Sequence, residues 1–280
     1  MDGIKIDTSS IITLILYRMQ TNFSEIQKII DHIEVNFDRE VTAHEIESIS
    51  HYSYRNFQRI FFKLFNETIS GFQKRLRLEN AYKKLIYTED NLSEIAWQVG
   101  YFNIQSFSKA FKKQYLISPA EARKQKHDIF KEFIEHHDSD LKIEVKYKDA
   151  IAVYCKFIKA KDYNNQEIDT LWKEIEPEVE IFDAAYGIIR DQPLITNHSH
   201  CRYGAAVTAE EDIKELLKTE IFGGKYVKFT HYGPYENILE TYRSFYRFWL
   251  SEKKLILNNS DVIEEYEEPE ITHIYFPLYE

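Results

Sequence analysis

The chain has 280 residues, of which 44% are hydrophobic, which is enough for two ordinary cores of about 100 to 150 residues each. Its net charge of −10 is unevenly divided, because residues 1–128 contain 18 Lys plus Arg against 16 Asp plus Glu, whereas residues 129–280 contain 18 against 30. Residues 50–126 hold 14 basic and 6 acidic side chains, so polyanion binding is favoured there and excluded for the acidic second half by itself.

The first residues and the cysteines give expectations about location. Residues 1–23 are predicted to be an N-terminal extension. Their apolar run, residues 11–16, is too short to span a bilayer and lacks a signal-peptide flank, so we expect no membrane partner. Cys155 and Cys201 have no metal-like spacing, which is typical of a protein from a reducing cytoplasm.

Two stretches of the chain share one residue pattern. They are Ile46–Phe61, IESISHYSYRNFQRIF, and Ile95–Phe111, IAWQVGYFNIQSFSKAF. Each has a short apolar-periodic segment, a polar break, and a second segment with Phe, a basic residue and Phe at alternate positions. This layout is typical of a helix-turn-helix unit, whose second helix enters a DNA major groove. Two copies predict two such helices.

Capping signals support the helical interpretation. Thr42 with Glu45, and Asn91 with Glu94, predict capping boxes before the first helix of each copy. Further residues are predicted to cap the second helices or to adopt the positive backbone dihedral of the second turn; they are Ser53, Asn103 and Gly100. The turn of the first copy, with His51 and Tyr52, is less clearly signalled.

The outward faces of the two second helices carry side chains suited to DNA. The residues predicted to contact double-stranded DNA are Arg55, Asn56, Gln58, Arg59, Lys63, Ile104, Gln105, Ser108, Lys109 and Lys112. Arg and Gln make bidentate contacts with base edges, and Lys neutralises phosphates. The alternative is a merely solvated helix face, which one isolated segment would favour. The matched basic positions of two copies favour DNA.

These residues resemble the AraC/XylS transcription regulators. Ser118, Pro119 and Glu121 follow the second copy as the closing motif of that family does, as N-cap, first and third helical residues. The resemblance covers residues 24–126 and implies an all-α pair of helix-turn-helix units joined by a long helix over residues 70–87. Leu116 departs from it, because the family usually has glycine there and Leu disfavours the left-handed conformation. Contact with RNA polymerase and homodimerisation stay open.

Beyond a predicted linker at residues 127–140, in which a helix ending near Phe133 and Ile134 gives way to a polar run, the periodicity changes. Helical patterns cover residues 168–175 and 235–250. The predicted strands are residues 143–145, 151–157, 186–190, 203–207, 225–231, 262–266 and 271–276. The order strand, helix, strand, strand occurs twice, so residues 141–280 are predicted to form an α+β domain of duplicated β-α-β-β units with a groove between its halves.

The second half resembles the GyrI-like effector-binding domain. The residues that carry the resemblance are Thr230–Tyr235 (THYGPY), Ile263–Tyr266 (IEEY) and Ile274–Pro277 (IYFP). In that family the Glu at the position of Glu264 lies in the groove among aromatic residues. The resemblance therefore implies a ligand site at Glu264, with Tyr266 and Tyr275 as further members.

A carboxylate among aromatic rings attracts a lipophilic cation, because the rings and the charge both favour it. Further aromatic candidates for the ligand site are Tyr154, Trp172, Tyr232 and Trp249, although core packing is an equal alternative for each. Glu264 itself has the alternative of a solvated strand carboxylate within an acidic run.

No other constellation predicts chemistry. His198, His200 and Cys201 do not have a common zinc spacing, so no metal and no cofactor are expected. The sequence predicts a cytoplasmic, non-enzymatic DNA-binding regulator modulated by a small cationic or lipophilic ligand. Two alternatives remain, a hydrolase-like second domain and a protein-interaction module without a small-molecule ligand.

Overall fold

The computed structural model describes residues 23–134, 141–178, 182–210, 212–213, 215–252 and 255–279. The predicted N-terminal extension, residues 1–23, therefore lies outside the described residues except for Phe23. The chain divides into two compact units, residues 1–77 and 78–280. Across the described ranges, no helix combines the length and the apolar character needed to cross a membrane.

The first unit is helical. Its helices are α1 (Phe23–Val35), α2 (Ala43–Ser50), α3 (Tyr54–Phe65) and the first part of α4 (Ile69–Tyr87). The apolar faces of these helices meet in one core, in which Phe57, Phe61 and Phe72 are fully buried. Apolar residues at helical spacing therefore produce this helical core.

Capping side chains fix the starts of α2 and α3. The predicted capping box is confirmed, because Thr42 accepts from the backbone amide of Glu45 and the Glu45 carboxylate accepts from that of Thr42. Ser53 caps α3 by accepting from the amide of Asn56. Between them, His51 adopts the left-handed conformation with a φ of 58°. A His in this conformation is uncommon but tolerated, which explains the weak signal of this turn.

The second helix-turn-helix unit follows the same plan. Its helices after α4 are α5 (Leu92–Gln98), α6 (Ile104–Tyr115), α7 (Pro119–Lys124) and α8 (Lys126–Ile134). Gly100 has the predicted positive φ, at 81°, and Asn103 caps α6 as predicted. Asn91 caps α5, but the carboxylate of Glu94 accepts from the side-chain amide of Asn91 rather than from its backbone, so this cap is not the reciprocal box that was predicted.

Helix α6 ends at a strained residue. Leu116 adopts the left-handed conformation, with a φ of 65°, although it is 82% exposed and gains little from burial. We expect Leu116→Gly to raise the free energy of unfolding by about 0.5 to 1 kcal/mol, because glycine removes the strain at a smaller entropic cost. Equilibrium urea unfolding measures the change. Asn66→Gly, at the matching end of α3, is the control and should be nearly neutral, so equal effects of the two substitutions would contradict the expectation.

The rest of the chain forms an eight-stranded antiparallel sheet with two helices. The strands are β1 (Ile143–Lys148), β2 (Ile151–Lys159), β3 (Ala185–Ile189), β4 (Arg202–Val207), β5 (Leu217–Ile221), β6 (Gly224–Tyr232), β7 (Val262–Glu268) and β8 (Ile271–Pro277), and the helices are α9 (Asn165–Ile175) and α10 (Ile238–Ser251). The spatial order is β1-β6-β8-β7-β3-β4-β2-β5. In each of two sets of three strands, β2 to β4 and β6 to β8, the third strand lies between the first and the second. The duplication of a whole β-α-β-β unit stays a prediction.

The sheet is curled, with its two faces covered differently. Leu217 and Ile221 of β5 share a buried cluster with Tyr226 of β6, although these strands lie near opposite ends of the sheet. The concave face is therefore filled by side chains of the strands. Helices α9 and α10 cover the other face, where Phe245 of α10 stacks on Phe229 at 4.5 Å between ring centroids.

The first part of the predicted linker contains the helix that the sequence predicts to end near Phe133 and Ile134. Residues 126–134 form α8 because Phe130, which is fully buried, packs against Tyr246 and Trp249 of α10 at centroid distances of 4.7 and 5.7 Å. Residues 135–140 lie outside the described residues. The second helix-turn-helix unit consequently packs on the sheet domain, in the same compact unit.

Candidate functional site

Helix α3 presents the residues predicted to contact DNA. Phe57, Ile60 and Phe61 are buried beneath it, so the opposite face is left to solvent. Of the predicted residues, Arg55, Gln58, Arg59 and Lys63 are exposed and Asn56 is half-buried. The Arg59 guanidinium donates to the Asn56 side-chain oxygen at 2.9 Å, which holds both groups on one outward surface.

Helix α6 presents a corresponding surface. Phe107 and Phe111 are buried on its inner face. The outward residues Gln105, Lys109 and Lys112 are exposed, and Ile104 and Ser108 are half-buried. Sequence reasoning missed the exposed aromatic rings beside the start of α6, Trp97 and Phe102. Their signal was two large apolar side chains flanking the glycine of the turn.

Glu264 is the centre of the second site. It lies on β7 and points to the helix-covered face, where it is only 1% exposed. Three tyrosine hydroxyls donate to its carboxylate, Tyr235 at 2.8 Å, Tyr242 at 2.7 Å and Tyr266 at 2.8 Å. Burial raises the pKa of Glu264, although the three hydrogen bonds act against this shift. Burial and the charge of Glu264 also raise the pKa of each tyrosine, so the hydroxyls stay protonated and donate.

A second layer of hydrogen bonds orients this arrangement. The Trp172 indole donates to the Tyr203 hydroxyl at 3.0 Å, and that hydroxyl lies 2.7 Å from the hydroxyl of Tyr266. The Tyr266 hydroxyl has one hydrogen and donates it in the hydrogen bond to Glu264, so it accepts a hydrogen bond from the Tyr203 hydroxyl. The chain of donors therefore points from the core toward the carboxylate.

Glu264 and its neighbour Glu265 have opposite surroundings. Glu265 points to the concave face, where Lys148 pairs with it at 3.1 Å and Tyr275 donates to it at 2.6 Å. Burial would raise the pKa of Glu265, but these two partners lower it below its usual value. Within the described ranges Glu264 has no Lys or Arg salt-bridge partner, and the nearby charge of His231 opposes the rise in its pKa that burial causes.

A pocket opens beside Glu264. Its empty volume is about 910 Å³, a figure that includes the open mouth. Glu264, Tyr235 and Tyr242 line one part of it, and Lys83 and Tyr87 of α4 line another. Besides its aromatic walls, the lining carries ionisable groups of both signs, the carboxylates of Glu264, Glu236 and Asp191 and the basic side chains of Lys83 and Arg190.

The structure places the predicted ligand residues in different surroundings. Tyr266 is in direct contact with Glu264, and Trp172 packs edge-on against Tyr266 with 5.8 Å between ring centroids. Tyr275 lies on the concave face, where it binds Glu265, so its predicted place beside Glu264 is wrong. Tyr232 is 75% exposed at the end of β6.

The remaining predicted aromatic residues are held elsewhere. The Tyr154 hydroxyl bonds to Asp212, and the Trp249 indole donates to the backbone of Leu255 at 3.0 Å. Neither residue lines the pocket. Sequence reasoning missed Tyr235 and Tyr242, whose signal was their spacing of seven residues, two turns apart on one face of the predicted helix.

The histidine and cysteine cluster forms a turn. His198–His200 is a short 3-10 helix capped by Asn197, and the Cys201 thiol is buried. No group of three or more His, Cys, Asp or Glu side chains in the described part of the chain is arranged to hold a metal ion.

Comparison with known proteins identifies both halves. The helix-turn-helix domain family matches residues 48–125, and the GyrI-like small molecule binding domain family matches residues 142–278. Regulatory protein SoxS of Escherichia coli K12 is 30% identical over 98 residues, which are 35% of this chain and 92% of SoxS. The chain belongs to the AraC/XylS family of regulators.

Longer AraC/XylS relatives match over the same region only. The transcriptional activator RhaS of Mannheimia succiniciproducens is 32% identical over 97 residues, and the uncharacterised regulator YbfP of Bacillus subtilis is 30% identical over 98 residues. Each match covers 35% of this chain, but only 36% of RhaS and 33% of YbfP. The chain thus spans about a third of these regulators, and the likeness lies in the helix-turn-helix half.

Proposed function

We propose that this AraC/XylS protein is a one-component transcription regulator that binds double-stranded DNA and a small lipophilic cation. The observation that carries the effector half is the Glu264 carboxylate, which is buried, accepts hydrogen bonds from three tyrosines and has no Lys or Arg salt-bridge partner among the described residues. The family membership carries the DNA-binding half. We expect it to act in the cytoplasm, and contact with RNA polymerase and homodimerisation stay predictions.

On the DNA side, α3 and α6 are the proposed recognition helices. Their outer faces carry exposed Arg, Gln and Lys side chains, which suit base edges and phosphates. In this proposal the two helices enter successive major grooves, about 10 base pairs apart on one face of the duplex. Bending of the duplex would bring both helices into contact at once.

On the effector side, the energetics of burial favour a cation. A buried carboxylate without a counter-charge is costly, and a cation that enters the pocket offsets that cost. The tyrosine rings around Glu264 add cation–π attraction. A diffuse, lipophilic cation is favoured over a small hydrated one, because it loses little hydration on entering an aromatic pocket. Such a ligand would be recognised through one charge contact and a large apolar contact.

The two alternatives have less support. Both carboxylate oxygens of Glu264 accept hydrogen bonds from tyrosines, an arrangement that positions a charge better than it activates a water molecule. A protein-interaction module would have a groove filled by its own side chains, whereas this pocket is open. A binding site for a small molecule accounts for both observations.

The test combines selection of DNA with a ligand titration on the full-length chain. A random duplex library is selected for binding, and the enriched sequences are then titrated in the presence of tetraphenylphosphonium, a lipophilic cation. We expect two enriched segments about one helical turn apart, with protection of both in a footprint. Selection that enriches no sequence would contradict the DNA half, and absence of tetraphenylphosphonium binding would contradict the effector half.

Gly187 offers a test of the carboxylate site that leaves its charge unchanged. It lies opposite Glu264 on β3, and a methyl group there would overlap the Tyr266 hydroxyl. We expect Gly187→Ala to weaken tetraphenylphosphonium binding by about 1 to 3 kcal/mol, because the overlap displaces Tyr266. Isothermal titration calorimetry measures this change in affinity. Gly71→Ala on α4, far from these residues in sequence, is the matched control and should bind the cation as the wild type does; equal affinity in both variants would refute the role of Tyr266.

A further inference from the structure

One face of α4 is hydrogen-bonded to the GyrI-like domain. The residues on this face, Asn80, Lys83, Lys84 and Tyr87, follow the i, i+3, i+4, i+7 spacing of a single helical stripe. Asn80 accepts from the Asn259 amide at 2.9 Å, and Lys84 donates to the Tyr279 hydroxyl at 2.7 Å. The stripe attaches the end of α4 to the effector half within one compact unit.

Lys83 is a wall of the ligand pocket. Its side chain is buried, and its ammonium donates to the backbone oxygen of Arg190 at 2.8 Å and to that of Asn259 at 3.4 Å. These two carbonyls belong to loops of the GyrI-like domain that also line or border the pocket. Burial lowers the pKa of Lys83, and the nearby charge of Asp191 opposes this shift. Lys83 thus joins α4 to both loops.

Tyr87 is the second wall residue from α4. Its hydroxyl accepts from the Gln192 amide at 3.0 Å, and the same amide group donates to Tyr246 of α10 at 2.6 Å. All three side chains are buried and all three line the pocket that holds Glu264. A molecule that fills this pocket therefore meets α4 itself.

The opposite face of α4 packs on the recognition helix α6. The ring of Tyr82 contacts Phe111 and Tyr115 of α6 edge-on, at centroid distances of 5.2 and 4.7 Å. Leu85 is buried on this side, and its backbone oxygen accepts from Arg123 of α7 at 3.3 Å. Close-packed contacts of this kind transmit displacement, because they leave no space to absorb it. One helix thus lies between the pocket and α6.

We propose that α4 is the element through which a ligand in the Glu264 pocket acts on DNA binding, by direct contact with Lys83 and Tyr87. The inference rests on the proposed function, since it requires that the pocket takes a ligand. It adds that part of the ligand site comes from the DNA-binding half. Ligand and DNA then alter each other's affinity by the same factor, because the coupling between two sites is reciprocal.

The first test asks whether a ligand reaches α4. Hydrogen exchange of the full-length chain is followed by mass spectrometry with and without tetraphenylphosphonium. We expect slower exchange in peptides that cover residues 80–88, because contact with the stripe stabilises the end of α4. Unchanged exchange there, at a tetraphenylphosphonium concentration that saturates the protein, would overturn the inference.

The second test measures the coupling. The dissociation constant of tetraphenylphosphonium is determined with and without a saturating duplex taken from the selection. We expect a ratio of about fivefold or more in the wild type, in either direction. Tyr87→Phe keeps the ring, which packs edge-on against Trp249, but removes the acceptor for Gln192, so the ratio should fall toward one.

Tyr154→Phe is the matched control. Tyr154 does not line the pocket, and its hydroxyl donates to the Asp212 carboxylate within the GyrI-like domain. This variant should keep the wild-type ratio. An equal ratio in all three proteins, or no coupling in the wild type, overturns the inference and leaves the ligand site in place. Failure of the wild type to bind tetraphenylphosphonium overturns the proposed function instead, and the inference with it.

Discussion

Glu264→Gln is expected to weaken tetraphenylphosphonium binding by about 2 kcal/mol or more, roughly 30-fold. The substitution keeps the size of the side chain and removes its charge. The wild-type carboxylate is buried without a Lys or Arg partner among the described residues, so a bound cation stabilises its ionised form, whereas the tyrosine rings contribute equally in both proteins. Isothermal titration of the full-length chain measures the difference, and DNA affinity should stay unchanged.

Glu265→Gln is the matched control for this prediction. It removes a carboxylate one residue away that faces the concave side of the sheet and already has Lys148 as its partner. We expect wild-type affinity for the cation in this variant. A neutral aromatic ligand, triphenylphosphine oxide, should bind Glu264→Gln and the wild type alike. If the two substitutions had equal effects on cation affinity, the loss would reflect general charge and Glu264 would not be the site.

The affinity for the cation should also depend on pH. Burial raises the pKa of Glu264 in the folded protein, so its proton is lost only above the usual range for a glutamate. The ionised form binds the cation, and affinity therefore falls as the pH drops through this raised pKa. By the same linkage, ionising Glu264 in the free protein costs stability as the pH rises through that value. Glu264→Gln should bind the cation with an affinity that does not change over this pH range.

The helical half of the fold was predictable because its signals are local. The caps at Thr42, Ser53 and Asn103 and the glycine of the second turn lie within a few residues of the structure that they determine. Capping chemistry and helical periodicity do not require knowledge of distant contacts. Leu116 shows the limit of such reasoning, because the packing of α6 and α7 imposes a conformation that its side chain disfavours.

One miss in the fold comes from a distant contact. Strand β5, LKTEI, has three polar residues in its middle, and its pairing with β2 makes it a strand. Residues 126–134, the helix predicted to end near Phe133 and Ile134, also depend on a distant contact. They are helical because Phe130 finds a partner in α10, more than a hundred residues away in sequence.

In the candidate site, strand register decides which of the predicted residues lie beside Glu264. Glu264 and Tyr266 alternate along β7 and share a face, which a period of two predicts. Tyr275 was placed with them, but β8 pairs it with Ile263, and Glu264 pairs with Ile274. Directly opposed residues share a face, so Tyr275 lies with Ile263 on the concave side. The sequence contains no local signal for that register.

Arg59→Ala is expected to weaken binding to the selected duplex by about 1 to 3 kcal/mol and to relax the sequence preference at one position. Arg59 is exposed on α3, beside Asn56, and its planar guanidinium suits bidentate contact with a guanine edge. Arg59→Lys should fall between the wild type and Arg59→Ala, because it keeps the charge and loses the bidentate geometry. Fluorescence anisotropy with selected and random duplexes, over a range of salt concentrations, measures all three proteins.

Two further variants separate base recognition from charge in this measurement. Lys63→Ala removes an exposed cation from the last turn of α3 and should weaken binding to selected and random duplexes alike, with the salt dependence reduced by about one phosphate contact. Lys28→Ala, on α1, removes an exposed cation already paired with Glu25 and should change neither the affinity for the duplexes nor its salt dependence. Should Arg59→Ala behave like Lys63→Ala, Arg59 contacts phosphate and the specificity of α3 lies in other residues. Should it behave like Lys28→Ala, α3 is not a recognition helix, because an exposed arginine at the centre of a helix in the major groove cannot be removed without loss of affinity.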